Sequence, residues 1–306
     1  MTRSRESAVS PGHGSTVSAA DMAYLADLVR REAGIMLAPD HGVFVESRLA
    51  PLVWRDRLPS LAALVAELRA AAPGPRHREV VAALAIPETN FFRDGLPFEL
   101  LRRVVLPWLM EQRANERRLS FWCAAAATGQ EAYSLAMLCR EQKGVPSPWV
   151  WEILGTDLSE DNVRRAAAGI YSESEVRRGL DPPHLSTYFE KQGKEWRVKE
   201  DLRVLVHFRP FNLVAPWPSL SSMDLILLRN VTMYFDTATR RTVFSKAHEA
   251  LRPDGFLLLG AGETAQEAGD LFDLYQWNGV ALYRPRGAPS GPRELAAESV
   301  NRSGAL

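Results

Sequence analysis

Two carboxylates, Glu131 and Asp157, each stand where an apolar run gives way to a helical pattern. Glu131 comes two residues after Gly129 in the stretch FWCAAAATGQEAYSLAML, residues 121–138, which reads as strand, small-residue turn and helix. In a doubly wound sheet such a turn lies at the carboxyl ends of the strands, where ligands bind. A close strand–helix crossing with no ligand accounts for the small residues equally well. Asp157 ends the next apolar run, WVWEILGTD, and an acid at that tip is suited to accept hydrogen bonds from ribose hydroxyls. Asp157 could instead cap the following helix, but Ser159 can do that. A nucleoside ligand follows from the two positions together. The turn has one glycine and so is not the dinucleotide fingerprint, and the chain carries no Walker lysine, no metal-ligand cluster and no G-x-S-x-G elbow. S-adenosylmethionine is a nucleoside cofactor that needs none of these, because its sulfonium already activates the methyl group and the protein only orients it.

Those carboxylates need a sheet to position them. From about residue 95 the pattern alternates: helix (LPFELLRRVVLPWLMEQRA), strand (LSFWCA), helix (GQEAYSLAMLCREQ), strand (WVWEILGTD), helix (SEDNVRRAAAGI), strand (MDLILLRN), helix (TATRRTVFSKAHEAL), strand (GFLLLGAGE) and a last segment, GVALYRP. Strands that are apolar throughout, between amphipathic helices, predict an α/β fold with a parallel sheet covered on both faces. Residues 171–212 break the rhythm. They end in EWRVKEDLRVLVHFRPFNL, which alternates like antiparallel strands and predicts a small β insertion over about 171–210. Residues 19–86 read as a separate all-α domain, with Met22, Leu25, Leu28 and Val29 at helical spacing before Gly34 and Ser60 as an N-cap. The main domain then runs over 87–284. Residues 1–18 and 285–306, rich in Ser, Gly, Pro and Ala, read as disordered tails.

Composition narrows the partners. The chain has 306 residues, 46% hydrophobic and 24% charged, with Lys+Arg and Asp+Glu both 37. A formal charge of zero gives no reason to expect nucleic acid or an anionic membrane as a partner. Cys123 and Cys139 cannot build a disulfide framework or a thiolate metal site, which fits a reducing cytoplasm. The six histidines are scattered without ligand spacing. The first residues lack the apolar segment of a secretory signal, and no apolar run approaches the ~20 residues that span a bilayer.

Five ordered motifs carry a resemblance: AIPETNFFRD, AAAATGQEAYS, GTDLSEDNVRRAAAGIYSESEVRRGL, PFNL and LILLRNVTMYFD. Their order and spacing resemble the CheR family, bacterial chemotaxis-type protein-glutamate methyltransferases that use S-adenosylmethionine and release S-adenosylhomocysteine. The resemblance runs from about residue 20 to 284. It implies a Rossmann-like methyltransferase domain with a small antiparallel insertion, behind an N-terminal helical domain. It implies that Glu131 holds the ammonium of the cofactor's methionine end, that Asp157 takes the ribose, that Asn212 and Leu213 lie along the adenine, and that Arg229 and Asn230, at the end of the fourth strand, also bind the cofactor. Thr89 and Arg93 stand beside cofactor and substrate. The accepting carboxylate is ionised at neutral pH, so methyl transfer to it needs alignment rather than a general base. Arg93 is the candidate to hold that carboxylate, with Tyr234 as a hydroxyl donor and Phe235 packed in the core. Pro87, Gln130, Ala132 and the GAGE stretch depart from the family pattern of Asn, Glu, Pro and GHSE. The second helix, ESRLAPLVWRDRL, keeps Arg48, Arg55 and Arg57 but interleaves Ala50, Pro51, Val53 and Asp56, a weaker basic docking face. The short turn in EKQGKEW points away from recognition of a C-terminal pentapeptide tether. The expectation is a monomeric cytoplasmic enzyme acting on glutamates of a chemoreceptor or receptor-like protein. A different substrate for the same fold, or a module that senses the cofactor without turnover, stays open on the sequence.

Overall fold

The computed structural model describes residues 17–142, 149–218, 220, 222–293 and 295–297. They divide into two compact units. The first comprises the described residues up to Arg31 together with Met36–Leu84, and the second comprises Glu32–Ile35 with the described residues from Ala85 onward.

The helices of the first stretch are α1 (Ala19–Ala33), α2 (Gly42–Arg55), α3 (Leu61–Ala70) and α4 (Pro75–Leu84). Met22, Leu25, Leu28 and Val29 are buried together on one face of α1. Ser60 caps α3 as its position predicts, accepting the Ala63 N–H at 3.2 Å. Ser18 does the same for α1, accepting the Asp21 N–H at 3.1 Å. The expected N-terminal tail is therefore too long by that residue, and its residues 1–16 lie outside the described ones.

The second unit is built on an eight-stranded sheet. Its strands are β1 (Arg118–Ala124), β2 (Val150–Asp157), β6 (Val206–Pro210), β7 (Met223–Leu228), β8 (Leu251–Leu259), β9 (Phe272–Trp277), β10 (Val280–Pro285) and β11 (Ala296–Ala297). The order is β11-β9-β10-β8-β7-β1-β2-β6. Strands β6, β2, β1, β7 and β8 pair in parallel, and β10, β9 and β11 add antiparallel. Along β1, Phe121 and Cys123 enter one core and Trp122 and Ala124 the other. Both faces are covered, so the strands read as unbroken apolar runs. The covering helices are α5 (Leu96–Leu100) and α6 (Leu106–Gln112), joined by one π turn, then α7 (Gln130–Glu141), α8 (Glu160–Ala168) and α12 (Thr237–Ala250). The chain moves outward from β1 to β2 and β6, then returns to β7 and β8 on the other side. The β1/β7 boundary is thus the switch point at which a ligand crevice forms.

The small antiparallel sheet has the order β3-β5-β4, from Ile170–Ser172, Glu195–Val198 and Phe189–Gln192, with the short helices α9 (Glu173–Arg177), α10 (Pro182–Tyr188) and α11 (Glu200–Arg203) around it. One expectation needs correcting here. Val206–Pro210 was read into this insertion but forms β6, the parallel edge strand beside β2. An edge strand is covered less completely: Val206 is buried and Phe208 half-buried while His207 and Arg209 face outward or nearly so, and that alternation imitates an antiparallel strand. A second correction concerns the C-terminal tail, expected from 285. Pro285 ends β10 and Ala296–Ala297 pair with β9. Arg284, fully buried between the rings of Trp108 and Phe256 at 5.1 Å each, donates to the Pro289 carbonyl at 2.8 Å and ties this segment down. Residues 298–306 lie outside the described ones. Among the described residues no helix is long and apolar enough to cross a membrane.

Candidate active site

A cleft opens at the carboxyl ends of β1, β2 and β7 and encloses about 880 Å³ of empty space, its mouth included. All nine residues singled out in the sequence line it: Thr89, Arg93, Glu131, Asp157, Asn212, Leu213, Arg229, Asn230 and Tyr234.

Its floor is the turn from β1 to α7. Gly129 has φ 95°, and a Cβ there would come within 2.9 Å of Ala166 and 3.1 Å of Phe208. Ala125 (φ 60°) and Ala127 (φ 48°) are left-handed as well, which leaves a small-residue surface under the cleft. Asp157 holds this turn to the next. Its Oδ2 accepts the Ala127 N–H at 2.9 Å, and its Oδ1 accepts the Ser159 N–H at 2.9 Å and Asn162 Nδ2 at 3.0 Å. Ser159 caps α8, as expected, and Asp157, while holding these three donors, also lines the cleft. Burial pushes the Asp157 carboxyl up, and these hydrogen bonds oppose the shift.

Glu131 lies in the first turn of α7 with 11% of its side chain exposed. Burial raises its carboxyl above the ordinary range, against the pull of Arg229, whose Nη1 donates to Oε2 at 2.9 Å. Arg229, 1% exposed, also donates through Nη2 to Asp94 Oδ2 at 2.7 Å and to the Arg93 carbonyl at 3.1 Å. Its guanidinium is thus engaged in joining Glu131 to the turn that carries Arg93. That turn precedes α5 rather than starting it. Phe92 (φ 47°), Asp94 (φ 70°) and Gly95 (φ 63°) are left-handed, and Phe91 anchors the turn edge-on to Tyr171 and Phe189 at 5.1 and 5.5 Å. Arg93 Nη1 donates to the Glu88 carbonyl at 2.7 Å.

Asn212 spends its amide on the protein, giving Nδ2 to the Glu32 carbonyl at 2.6 Å and taking the Val214 N–H on Oδ1 at 3.1 Å. The apolar contribution from this loop is Leu213 with Phe211. Tyr234 ends a short 3-10 turn, Thr232–Tyr234, and Phe235 is buried in the core as expected. The shape of that turn is set by Glu263, a residue the sequence reading did not select. Its carboxylate accepts the N–H groups of Asn230 (2.6 Å), Gly260 (2.8 Å), Val231 (3.0 Å) and Met233 (3.1 Å), and the Thr232 hydroxyl at 2.7 Å. The available signal was the acid closing GAGE, just beyond the end of β8.

A small-residue floor, an acid for ribose hydroxyls, an acid that can take an ammonium and an apolar wall fit a nucleoside with an amino-acid end. The residues present therefore suit S-adenosylmethionine.

Comparison with known proteins agrees. Residues 87–279 match the family described as "CheR methyltransferase, SAM binding domain". The chain is 35% identical over 272 residues to "Chemotaxis protein methyltransferase 1" of Pseudomonas aeruginosa, covering 87% of this chain and 98% of that protein. It is 35% identical over 277 residues to "Chemotaxis protein methyltransferase" of Vibrio parahaemolyticus, covering 88% and 98%. With its site geometry and these matches along most of its length, the chain belongs to the CheR methyltransferase family and is an S-adenosylmethionine-dependent methyltransferase.

Proposed function

We propose that the enzyme methylates glutamate side-chain carboxylates of a chemoreceptor, giving methyl esters and S-adenosylhomocysteine as part of chemosensory adaptation. The observation that carries this reading is the chemistry of the cleft wall: it offers a cation, Arg93, and a hydroxyl donor, Tyr234, which suit an anionic acceptor. An amine or amide acceptor must shed a proton, whereas a glutamate with a pKa of about 4.3 is already a nucleophile. The relatives named above as chemotaxis protein methyltransferases support the receptor as substrate.

Bound S-adenosylmethionine supplies a methyl group already activated by its sulfonium. Glu131 holds the ammonium end through the carboxylate oxygen not engaged by Arg229, and Asp157 receives the ribose hydroxyls. Arg93 exchanges the Glu88 carbonyl for one oxygen of the incoming carboxylate, and Tyr234 donates to the same group. Their task is alignment, which can be worth several orders of magnitude in rate. Opposite charges cancel as the reaction proceeds, so the apolar lining favours the transition state over the separated ions. The neutral ester no longer pairs with Arg93, which aids its release. Its formation removes a negative charge from the receptor's helices and biases their signalling equilibrium.

The two-residue turn Gly193–Lys194 between β4 and β5 leaves little loop with which to grip a tethering peptide, which supports recognition without a tether. Incubation with labelled cofactor and candidate receptors, followed by mild alkali, tests the reaction. Label released as methanol is expected. Label that survives alkali would show an amide, amine or ether and overturn the assignment.

A further inference from the structure

The turn that carries Arg93 is held from one helix, α7, by two routes. Three of its residues, Phe92, Asp94 and Gly95, are left-handed, a conformation that non-glycine residues keep only where their surroundings impose it. Ser134 imposes it directly: its Oγ accepts the Phe92 N–H at 2.9 Å and donates to the Gln130 carbonyl at 2.7 Å. The second route is the relay Glu131–Arg229–Asp94, with bonds of 2.9 and 2.7 Å, and Arg229 also takes the Arg93 carbonyl at 3.1 Å. Glu131 and Ser134 stand three apart on α7 and so share a face. The Arg229 guanidinium lies 5.6 Å from the centre of the Phe98 ring and is closed to solvent, so water does not substitute for either carboxylate.

We propose that Asp94 is a positioning residue for Arg93, and that the Glu131–Arg229–Asp94 relay makes the placement of Arg93 depend on cofactor occupancy. The cofactor-loaded enzyme is then the form prepared for the substrate carboxylate. This rests on reading the cleft as a site of methyl transfer to a carboxylate. The physical reason is a competition. Without ligand, one buried guanidinium is shared between two carboxylates and a carbonyl. An ammonium at Glu131 satisfies part of that carboxylate's charge, and the guanidinium is drawn toward Asp94 and the Arg93 carbonyl. The left-handed turn tightens, and Arg93 is fixed at the mouth of the cleft. Linkage makes the effect reciprocal: a carboxylate held on Arg93 strengthens cofactor binding by the same factor. Asp94 touches neither reactant and acts through Arg93.

The test uses the full chain with S-adenosylhomocysteine as the probe. In the wild type, the probe is expected to slow hydrogen exchange of the Phe92–Leu96 amides by about fivefold or more, the signature of a stabilised local unit. Asp94→Asn should bind the probe within about threefold of wild type yet lose that protection, because the relay no longer ends on a charge. Its kcat should fall by roughly tenfold with the KM for the cofactor little changed, as expected for lost alignment. Asp94→Glu should recover most of the rate. In an Arg93→Ala background, Asp94→Asn should cost less than about twofold more, since two residues acting through one step are not additive. The same protection in Asp94→Asn as in wild type, or full additivity with Arg93→Ala, would overturn the proposal. A wild type that protects the turn but forms no ester would instead overturn the substrate reading and leave the relay standing.

Discussion

At the scale of single residues, two side chains divide the work of the cleft. Arg93 lines the cleft and donates to a backbone carbonyl, at 2.7 Å, which a carboxylate can displace. Arg93→Ala is therefore expected to fold and to bind S-adenosylhomocysteine while losing methyl transfer by about a hundredfold or more. Arg93→Lys should recover only part, because an ammonium keeps the charge without the planar fork. Single-turnover rates beside calorimetric affinities check both, and a variant that loses rate only by losing cofactor would refute the role. Glu131 is proposed to hold the cofactor's ammonium, and its burial makes that role pH-dependent. Its carboxyl is raised in the folded protein, so it takes up its proton at a higher pH than a free glutamate does. An ammonium pairs with the ionised form only. Cofactor affinity should accordingly fall as pH drops through the raised value, at a higher pH than an ordinary glutamate would allow. Glu131→Gln should remove the part of this dependence that Glu131 carries, leaving that of Asp157, and weaken binding at neutral pH by roughly 1–3 kcal/mol. Titration calorimetry across the acidic range is the measurement, and an unchanged pH profile in Glu131→Gln would refute the assignment.

At the scale of elements, the sheet is pinned at the end opposite the cleft. Arg113, just past α6, donates to Asp224 on β7 at 2.9 Å and to both oxygens of Asp254 on β8 at 2.8 and 2.5 Å. Asp224 is fully buried and takes the Ser120 N–H of β1 at 2.8 Å. One guanidinium thus ties a helix end to the amino-terminal ends of neighbouring parallel strands. Burial pushes the Asp224 carboxyl up, while hydrogen bonds from Arg113 hold Asp254 below the usual range. Arg113→Ala leaves the buried Asp224 with only the Ser120 N–H at 2.8 Å and Arg252 Nε at 3.5 Å among its described partners and should cost about 3 kcal/mol. A lower denaturant midpoint is expected, with unchanged affinity for S-adenosylhomocysteine in the protein that remains folded. Lost cofactor binding at full stability would contradict this division between the two ends of the sheet.

At the scale of the molecule, the second unit draws on a distant stretch of chain. Glu32–Ile35 belongs to it: Glu32 gives its carbonyl to Asn212, Ile35 bridges to Phe235, and Ala33 and Ile35 line the cleft. Gly34 permits this, with φ 71° and space for no side chain, since a Cβ would meet Val214 at 2.7 Å and Thr239 at 2.9 Å. Gly34→Ala is expected to destabilise the protein by about 1–3 kcal/mol, the cost of a strained left-handed residue. It should also weaken cofactor binding, because Asn212–Leu213 loses its support. Thermal shift with and without S-adenosylhomocysteine reads both effects, and normal affinity in Gly34→Ala would show that this stretch does not shape the cleft.

The sequence alone determined the parallel centre of the sheet, and with the family pattern it picked out residues that line the cleft. Burial on both faces writes itself into β1, β2 and β7 as unbroken apolar runs, and the residues at strand tips are local to those runs. That is why Glu131 and Asp157 were legible as site residues, with Thr89, Arg93, Asn212, Leu213, Arg229, Asn230 and Tyr234 added by the family pattern. Periodicity reports how buried a residue is but not by what, and this limited the rest. The edge strand β6 looked like part of the insertion because it is covered less than its neighbours. The segment after Pro285 looked like a tail because its order depends on β9 and on Arg284, not on its own composition. The bonds of Glu263 to the loop after β7, of Arg229 to Glu131 and Asp94, and of Asn212 to Glu32 join residues between 30 and 180 positions apart in all but the Gly260 contact. Only the closed tertiary structure decides such partners, because a hydrogen bond is specified by position in space and leaves no periodic trace in the chain.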